Sequence, residues 1–213
     1  GRDFKPIFGV EAYFVPSVED WKAAYEKAKE DKKAARELES DPTKTANEDE
    51  GASKRKVDNI IRRRRHLILI AQNQTGLNNI FKMISSSFQG DNFYRYPRVD
   101  YDLLSKHSEG VIASSACLGG VYAGDYWDNR DAGRDNIIEA MRKTTERMQS
   151  IFGDRWYGEL QWNNVVEQHD LNKCVIQMHY EYGVPLISTA DSHYPNPTAW
   201  KDRELYKRLG WLG

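Results

Sequence analysis

A carboxylate and an imidazole stand two residues apart near the end of the chain, at Asp191 and His193. They follow the short apolar run 184–187, which is entered from a glycine and predicts a buried strand. Side chains at positions i and i+2 of a strand point to the same side, and α/β folds build their sites at strand ends. A carboxylate beside an imidazole suits a divalent metal such as zinc or manganese. The alternative is that Asp191 caps the next helix and His193 hydrogen-bonds a loop.

Three more residues of metal-binding type lie near predicted strand ends: Glu11, His66 and Cys117. Each has a simpler interpretation. Glu11 could be a paired strand carboxylate, and Cys117 a small core residue. His66 stands at the start of its strand, against the rule that sites form at carboxyl ends, and could simply cap the arginines before it. Because the ligands of a metal cluster come from several strands of one rim, the five residues together predict a metal site.

A run of four arginines directly precedes His66: Arg62, Arg63, Arg64 and Arg65. One interpretation is a set of phosphate contacts for a DNA end at the mouth of the site. The other is a solvated helix end that the acidic segment before it neutralises. The sequence leaves both open.

Other residues of reactive type have structural interpretations. Asp100 and Asp102 resemble the Asp-x-Asp pair of a two-metal polymerase site, but they lie between Tyr-Pro and Leu-Leu, so a turn and a helix cap are predicted. Three histidines are predicted to lie on helices or loops in structural or solvated roles: His107, His169 and His179.

Composition limits the class of protein. The 213 residues suffice for one domain with a core or two small ones, and the net charge of −1 gives no overall basic field for nucleic acid. The two cysteines imply no disulfide framework and fit a reducing, cytoplasmic location. No apolar run approaches the roughly 20 residues of a membrane span, so no membrane partner is expected. The first residues lack both a methionine and a signal peptide, which suggests a fragment of a longer protein.

Strand and helix patterns alternate along the chain. The predicted strands are 5–16, 66–71, 110–116, 155–162 and 184–187, and helices are predicted between them and after Asn196 and Pro197. Such alternation predicts a parallel α/β architecture, here part of a barrel.

Residues 17–62 interrupt this alternation. More than half of the residues between 19 and 65 are charged, and one narrow apolar stripe, beginning with Trp21, Tyr25 and Ala28, predicts an amphipathic helix from Val18 to about Ser40. We interpret 17–62 as a charged helical hairpin inserted into the domain and outside its core.

Five segments, in this order, carry a family resemblance: KPIFGVE (5–11), HLILIAQN (66–73), SEGVIASSACLGG (108–120), FGDRWYGELQ (152–161) and ADSHY (190–194). They resemble the polymerase-and-histidinol-phosphatase (PHP) domain at the N-terminus of the bacterial-type DNA polymerase III alpha subunit. The resemblance implies that 1–213 is a partial PHP domain, a distorted (β/α)7 barrel that is incomplete at its N-terminus.

In that family the barrel holds up to three metals, and five residues here match ligand positions: Glu11, His66, Cys117, Asp191 and His193. The family's His-x-His motif, an Asp and a further His precede the strand of Glu11 and are not in this sequence. The insertion is larger than the usual family loop, which indicates a phage or otherwise divergent member.

The resemblance implies metal-dependent phosphodiester hydrolysis, a 3′–5′ exonuclease that could proofread for a DNA-directed DNA polymerase. The expected cofactor is a divalent metal cluster, Zn or Mn with Mg as a further candidate, which is incomplete in this chain and leaves it inactive alone. Asp191 and His193 are the catalytic candidates. Glu159, on a neighbouring strand, would either interact with the metal ligands without binding the metal itself or form a surface ion pair.

A second function class stays open, in which the same barrel is a non-catalytic scaffold that stabilises the polymerase and docks a proofreading subunit. A stand-alone phosphatase of the histidinol-phosphatase type is the third. The expected partners are DNA and the polymerase core of the same chain, with a proofreading subunit and a sliding clamp as further candidates.

Overall fold

One mixed sheet organises the part of the chain that our computed structural model describes, which is residues 4–39, 57, 59–61 and 63–211. The strands are β1 (Gly9–Phe14), β2 (Arg65–Ala71), β3 (Phe93–Tyr94), β4 (Tyr96–Pro97), β5 (Val111–Ser114), β6 (Trp156–Gln161) and β7 (Leu186–Thr189). The helices are α1 (Val18–Glu39), α2 (Gln74–Ser87), α3 (Tyr101–Lys106), α4 (Val121–Asn129), α5 (Arg134–Phe152), α6 (Val166–Tyr182) and α7 (Trp200–Trp211). Short 3-10 turns cover Gly90–Asn92, Arg130–Ala132, Gly153–Arg155 and Pro197–Ala199.

The strand order of the main sheet is β1-β2-β5-β6-β7, and β3 pairs with β4 in a separate two-stranded ribbon. The pairs β5–β6 and β6–β7 are parallel, as alternation of strands and helices predicts. The pairs β1–β2 and β2–β5 are antiparallel, so the prediction of an all-parallel sheet is wrong for this half. The physical reason lies in the connections. The chain leaves β2 at Ala71 and begins β5 at Val111, which is the partner of Ala71, so it returns at the same edge.

The described strands form an open sheet, with β1 and β7 at its two ends. The α/β class is therefore confirmed, and closure into a (β/α)7 barrel stays a prediction.

The main core lies between the sheet and helices α2 to α6. On α5 an apolar stripe that includes Ile137, Met141 and Met148 is buried in this core. The fully buried Trp156 donates its indole N–H to the Tyr122 hydroxyl at 2.9 Å, and that hydroxyl lies 2.6 Å from Thr145 Oγ1. Satisfied polar groups of this kind fix β6 against α4 and α5.

The inserted segment begins with α1, as predicted, and packs outside the main core. Val15, Val18 and Trp21 form one small apolar cluster, and Ala28 forms another with Val57 and Ile61. These clusters are separate from the main core; that residues 17–62 form one inserted hairpin stays a prediction, because residues 40–56 lie outside the described part of the chain.

A buried arginine connects this segment to the two-stranded ribbon of β3 and β4. Arg98, with 0% exposure, donates to the carbonyl oxygens of Tyr94 (3.0 Å), Tyr96 (2.9 Å) and Ile61 (2.8 Å). Its guanidinium carbon lies 3.7 Å from the centre of the Trp21 ring. Burial, followed by the charge of Arg64, lowers the pKa of Arg98 to about 10, so it stays charged at neutral pH. The charged side chain of Arg98 therefore holds Trp21 and Ile61 against the ribbon.

None of the described helices combines the length and the apolar character needed to cross a lipid bilayer.

Candidate functional site

The antiparallel orientation of β2 brings its first residues to the turn that follows β5. The His66 N–H donates to the carbonyl of Gly119 at 2.8 Å, and His66 forms an isolated bridge with Gly120. On the other side His66 pairs with Tyr13 of β1. The start of β2 and the carboxyl end of β5 therefore share one edge of the sheet, so the position of His66 does not break the rule on strand ends.

Three of the five predicted ligands are in contact at this edge. Nδ1 of His66 lies 3.2 Å from a carboxylate oxygen of Glu11 and 3.5 Å from the sulfur of Cys117. The Glu11 and His66 side chains remain 44% and 31% exposed, so the cluster is open to solvent and to ions.

A tight turn presents the thiol of Cys117. Ala116 takes a left-handed conformation with φ 58°, and the Gly119 N–H donates to the Cys117 sulfur at 3.4 Å. A Cβ added at Gly120 would lie 2.0 Å from the Ser115 carbonyl oxygen, so the turn requires glycine there. A Cβ added at Gly119 would lie 3.4 Å from the His66 ring and 3.7 Å from the sulfur, so this glycine leaves the space between the donors clear.

The thiol is protonated more readily than an ordinary cysteine. Burial raises the pKa of the Cys117 thiol, the Gly119 N–H lowers it in part, and the negative charges of Asp191 and Glu11 raise it further. Asp191 is therefore near enough for its charge to act on the thiol.

Asp191 and His193 lie in the loop after β7, beyond the end of the strand. Asp191 has φ 47°, and Nδ1 of His193 lies 2.6 Å from the Asp191 backbone oxygen and 3.9 Å from its Oδ1. The expectation that strand alternation presents this pair is wrong, because β7 ends at Thr189 and a loop hydrogen bond holds the imidazole instead. The pair borders a cavity of about 320 Å³ that Asn163 and Arg203 also line.

Glu159 is buried in the middle of the sheet, with 6% exposure, so the surface ion pair considered for it is wrong. Its two oxygens accept hydrogen bonds from Ser114, Thr189 and Gln161. The two hydroxyl donors belong to β5 and β7, the strands that lead to Cys117 and Asp191.

The arginine run is divided between different environments, and Arg62 lies outside the described residues. Arg63 is exposed, 3.8 Å from Asp128. The guanidinium carbon of Arg64 lies 4.5 Å from the Tyr13 ring centre and 4.0 Å from that of Tyr96. Arg65 points to the opposite side of the sheet, where it forms a 2.8 Å ion pair with Asp128. A common phosphate grip by all four side chains stays a prediction.

Asp100 caps a helix, as predicted. Its Oδ1 accepts from the Leu103 N–H at 3.0 Å at the start of α3, and its Oδ2 accepts from the Val18 N–H at 3.2 Å. His179 is structural, with Nδ1 2.8 Å from the Val184 carbonyl oxygen. His107 ends α3, and burial lowers its pKa.

The sequence did not point to Asp125, which lines a second cavity of about 280 Å³ together with Trp21, Arg65 and Asp128. Burial raises the pKa of Asp125 to about 6, although a hydrogen bond from Thr144 and the charge of Arg65 act in the opposite direction. A single aspartate within a helical pattern gives no signal of burial, because burial depends on what packs against that helix.

The donors that meet at the start of β2 and the carboxyl end of β5 fit a divalent metal. A thiol, an imidazole and a carboxylate in contact are a donor set that zinc accepts, and Gly119 keeps the space between them open. Across the ranges that the structure describes, no group of three or more His, Cys, Asp or Glu side chains is already arranged to hold one ion. The site thus has suitable donors in contact without a completed coordination shell.

Comparison with known proteins identifies relatives across most of the chain. At 36% identity over 194 residues, it is similar to the DNA polymerase III subunit alpha of Aquifex aeolicus (strain VF5), covering 91% of this chain and 14% of that protein. The DNA polymerase III subunit alpha of Borreliella burgdorferi is 37% identical over 142 residues, 67% of this chain and 12% of the relative. That of Helicobacter pylori (strain J99) is 36% identical over 165 residues, 75% of this chain and 13% of the relative.

The chain thus spans about 12–14% of the length of these curated relatives. The PHP domain family matches residues 1–163, a segment that contains Glu11, His66 and Cys117 and ends before Asp191 and His193. This match covers well over half of the sequence and includes the three donors that the structure brings into contact. The chain therefore belongs to the PHP domain family.

Proposed function

We propose that the chain is part of the PHP domain of a replicative DNA polymerase III alpha subunit and that it supports metal-dependent phosphoesterase chemistry. The observation that carries this proposal is the contact among Glu11, His66 and Cys117 at one sheet edge, with the charge of Asp191 acting on the same thiol. The match of this chain to the PHP family and its similarity to DNA polymerase III alpha subunits support an association with DNA polymerase. We further propose that the complete domain forms a (β/α)7 barrel.

In this proposal His66 and Cys117 hold a metal directly, with Glu11, Asp191 and His193 completing the donor set. A divalent metal held by these residues would supply Lewis-acid chemistry suited to phosphodiester hydrolysis, by activating water and by offsetting negative charge. Zinc fits the thiol and imidazole donors, and manganese fits the carboxylates.

The residues themselves supply orientation. The Glu11 carboxylate and the Cys117 sulfur face the same nitrogen of His66, Nδ1, at 3.2 and 3.5 Å, which supports a shared donor set. The turn at Gly119 and Gly120 fixes the sulfur against that ring. Arg63 is exposed but lies 3.8 Å from Asp128, the carboxylate that also pairs with Arg65, so no single arginine of the run is preferred as a phosphate contact.

The test is Asp191→Asn in the full-length subunit that carries this domain, with hydrolysis of single-stranded DNA measured in excess zinc or manganese. The amide keeps the shape of the side chain but loses the charge that offsets the cation. We expect hydrolysis to fall by more than the roughly 10–100-fold that loss of an outer supporting group causes, because Asp191 is itself a proposed ligand.

Asp202→Asn on α7 is the matched control, because Asp202 is exposed and lies on a different element. It should hydrolyse DNA at the normal rate. Unchanged hydrolysis by Asp191→Asn would remove this carboxylate from the site.

A scaffold role is the second candidate, and the surface of α7 favours it. Leu205, Tyr206 and Leu209 on this helix are 61%, 78% and 66% exposed, an apolar surface of the kind that marks protein contacts. If the domain only stabilises the polymerase core and docks a proofreading subunit, Leu209→Asp should weaken that assembly while Asp191→Asn changes nothing. Sliding-clamp contact and a cytoplasmic location belong to the same proposal.

A further inference from the structure

We infer that Glu159 is a positioning residue that fixes the ends of β5 and β7 to each other and so sets the separation of Cys117 and Asp191. This inference rests on the proposed function for its link to metal binding. The positioning itself can be tested without metal.

Glu159 stands on the central strand of the parallel half of the sheet. It lies on β6, which is parallel to β5 on one side and to β7 on the other, and the sheet order places no strand between them. Its side chain is almost fully buried, with 6% exposure. A buried carboxylate destabilises the fold unless hydrogen-bond donors surround it. A glutamate here, where an apolar residue would bury more easily, therefore indicates that its hydrogen bonds have a role.

Three side chains donate hydrogen bonds to the Glu159 carboxylate. Oε2 accepts from Ser114 Oγ at 2.6 Å, and Oε1 accepts from Thr189 Oγ1 at 2.5 Å and from Gln161 Nε2 at 3.1 Å. In addition, the backbone N–H of Glu159 donates to Ser115 Oγ at 2.9 Å. One side chain therefore binds three strands together, with a separate oxygen for each neighbour.

The partners of Glu159 are the last residues of their strands. β5 ends at Ser114, three residues before Cys117, and β7 ends at Thr189, two residues before Asp191. The loops that carry both candidate ligands thus leave the sheet at points that the same carboxylate holds. Displacing either hydroxyl would let the corresponding loop shift relative to the other.

Glutamine cannot replace this arrangement. It has one acceptor oxygen and an amide that only donates, so it cannot accept from Ser114 and Thr189 on two separate oxygens. Glu159→Gln is therefore nearly isosteric, but one of the two hydroxyls must reverse its hydrogen bond and accept from a neutral amide, which weakens the link on that side.

The first measurement is metal binding by the 213-residue chain, titrated with cobalt(II) and followed by thiolate-to-cobalt charge-transfer absorption, which reports Cys117 as a ligand. We expect Glu159→Gln to raise the dissociation constant about 10–100-fold, the usual effect of losing a group that orients metal ligands. Thr189→Val, which keeps its shape and removes one donor, should act in the same direction and more weakly, and it serves if Glu159→Gln does not fold.

Thr145→Val is the control for general destabilisation. Thr145 is fully buried and hydrogen-bonded to Tyr122 and to the Met141 carbonyl, but it lies on α5 in the core. It should lose stability and keep the cobalt affinity of the unaltered chain. Equal weakening by Thr145→Val, or normal affinity in folded Glu159→Gln, would overturn the inference.

The second measurement needs no metal. Alkylation of Cys117 by iodoacetamide, followed by mass spectrometry, should be at least about threefold faster in Glu159→Gln, because local opening controls access to partly buried groups. Cys174, buried within α6 at 2% exposure, is the internal control and should react as slowly as before. Unchanged alkylation of Cys117 would refute the positioning role. If the unaltered chain binds no cobalt, the metal site proposed for this chain alone fails, and the alkylation rates still decide the role of Glu159.

Discussion

The sulfur of Cys117 lies 3.5 Å from Nδ1 of His66, although 51 positions separate the two residues in the sequence. The contact exists because β2 runs antiparallel to β5, so the first residues of one strand meet the turn that follows the other. Glu11 reaches the same imidazole nitrogen from β1, which is antiparallel to β2 on the other side. This junction of three strands is the centre of the candidate site.

The ionisation of Asp125 should make the stability of the protein depend on pH. Burial raises its pKa from 3.8 to about 6, so the folded state holds the proton more tightly than the unfolded state. Ionising the buried carboxyl lowers the free energy of unfolding. This loss is absent below pH 3.8, grows as the pH rises through that value, and is complete above about pH 6, where it reaches roughly 2–3 kcal/mol.

Asp125→Asn removes this ionisation. The difference in the free energy of unfolding between the variant and the unaltered chain should therefore shift by about 1.4 kcal/mol in favour of the variant when the pH rises from about 5 to about 7.5. Urea unfolding at both pH values measures the difference. The exposed Asp131→Asn is the control and should show no such change. A pH-independent effect of Asp125→Asn would contradict the assignment.

Loss of Arg98 should destabilise the protein strongly. Arg98→Ala leaves three carbonyl oxygens without their donor and removes the cation from the Trp21 ring, so we expect a loss of about 3 kcal/mol in the free energy of unfolding. Denaturant titration measures this loss. Arg95→Ala, at an exposed neighbouring position, should cost less than about 0.5 kcal/mol. Similar losses in both variants would mean that the buried contacts of Arg98 contribute little.

Replacing residues 18–61 with a short Gly/Ser linker should leave the rest of the protein folded. The apolar clusters of the insertion are separate from the main core, which retains its own buried side chains. Near-UV circular dichroism of the purified variant is the measurement. In that background Arg98→Ala should cost less than in the unaltered chain, because Ile61 and Trp21 are already gone. Loss of soluble expression on the replacement would show that the hairpin is structural.

Local pattern predicted much of the fold. The apolar stripe of Trp21, Tyr25 and Ala28 predicted α1, and Gly183, the glycine before the apolar run 184–187, stands where α6 ends in the left-handed conformation. The cap at Asp100 was also predicted, because an aspartate before Leu-Leu is a local signal.

Long-range pairing could not be predicted in the same way. The direction of β2 depends on its partners, so the sequence could not explain a ligand at the start of that strand. The burial of Glu159 depends on hydroxyl donors that lie 45 and 30 positions away in sequence, and no local pattern reports them. The Asp191 loop was placed on a strand because the apolar run before it gives no sign of where pairing stops.

We propose that Cys117 and its neighbours form a metal site, and zinc analysis of the 213-residue chain after dialysis measures whether they do. Three donors are in contact at this edge, while Asp191 and His193 contact each other in the next loop. We therefore predict at most about one weakly bound zinc per chain, held in an open site, and no digestion of single-stranded DNA by this chain alone. Cys117→Ala should abolish the binding, and Cys174→Ala, in the core, should keep it. Three tightly held metals, or zinc binding that persists in Cys117→Ala, would contradict the account.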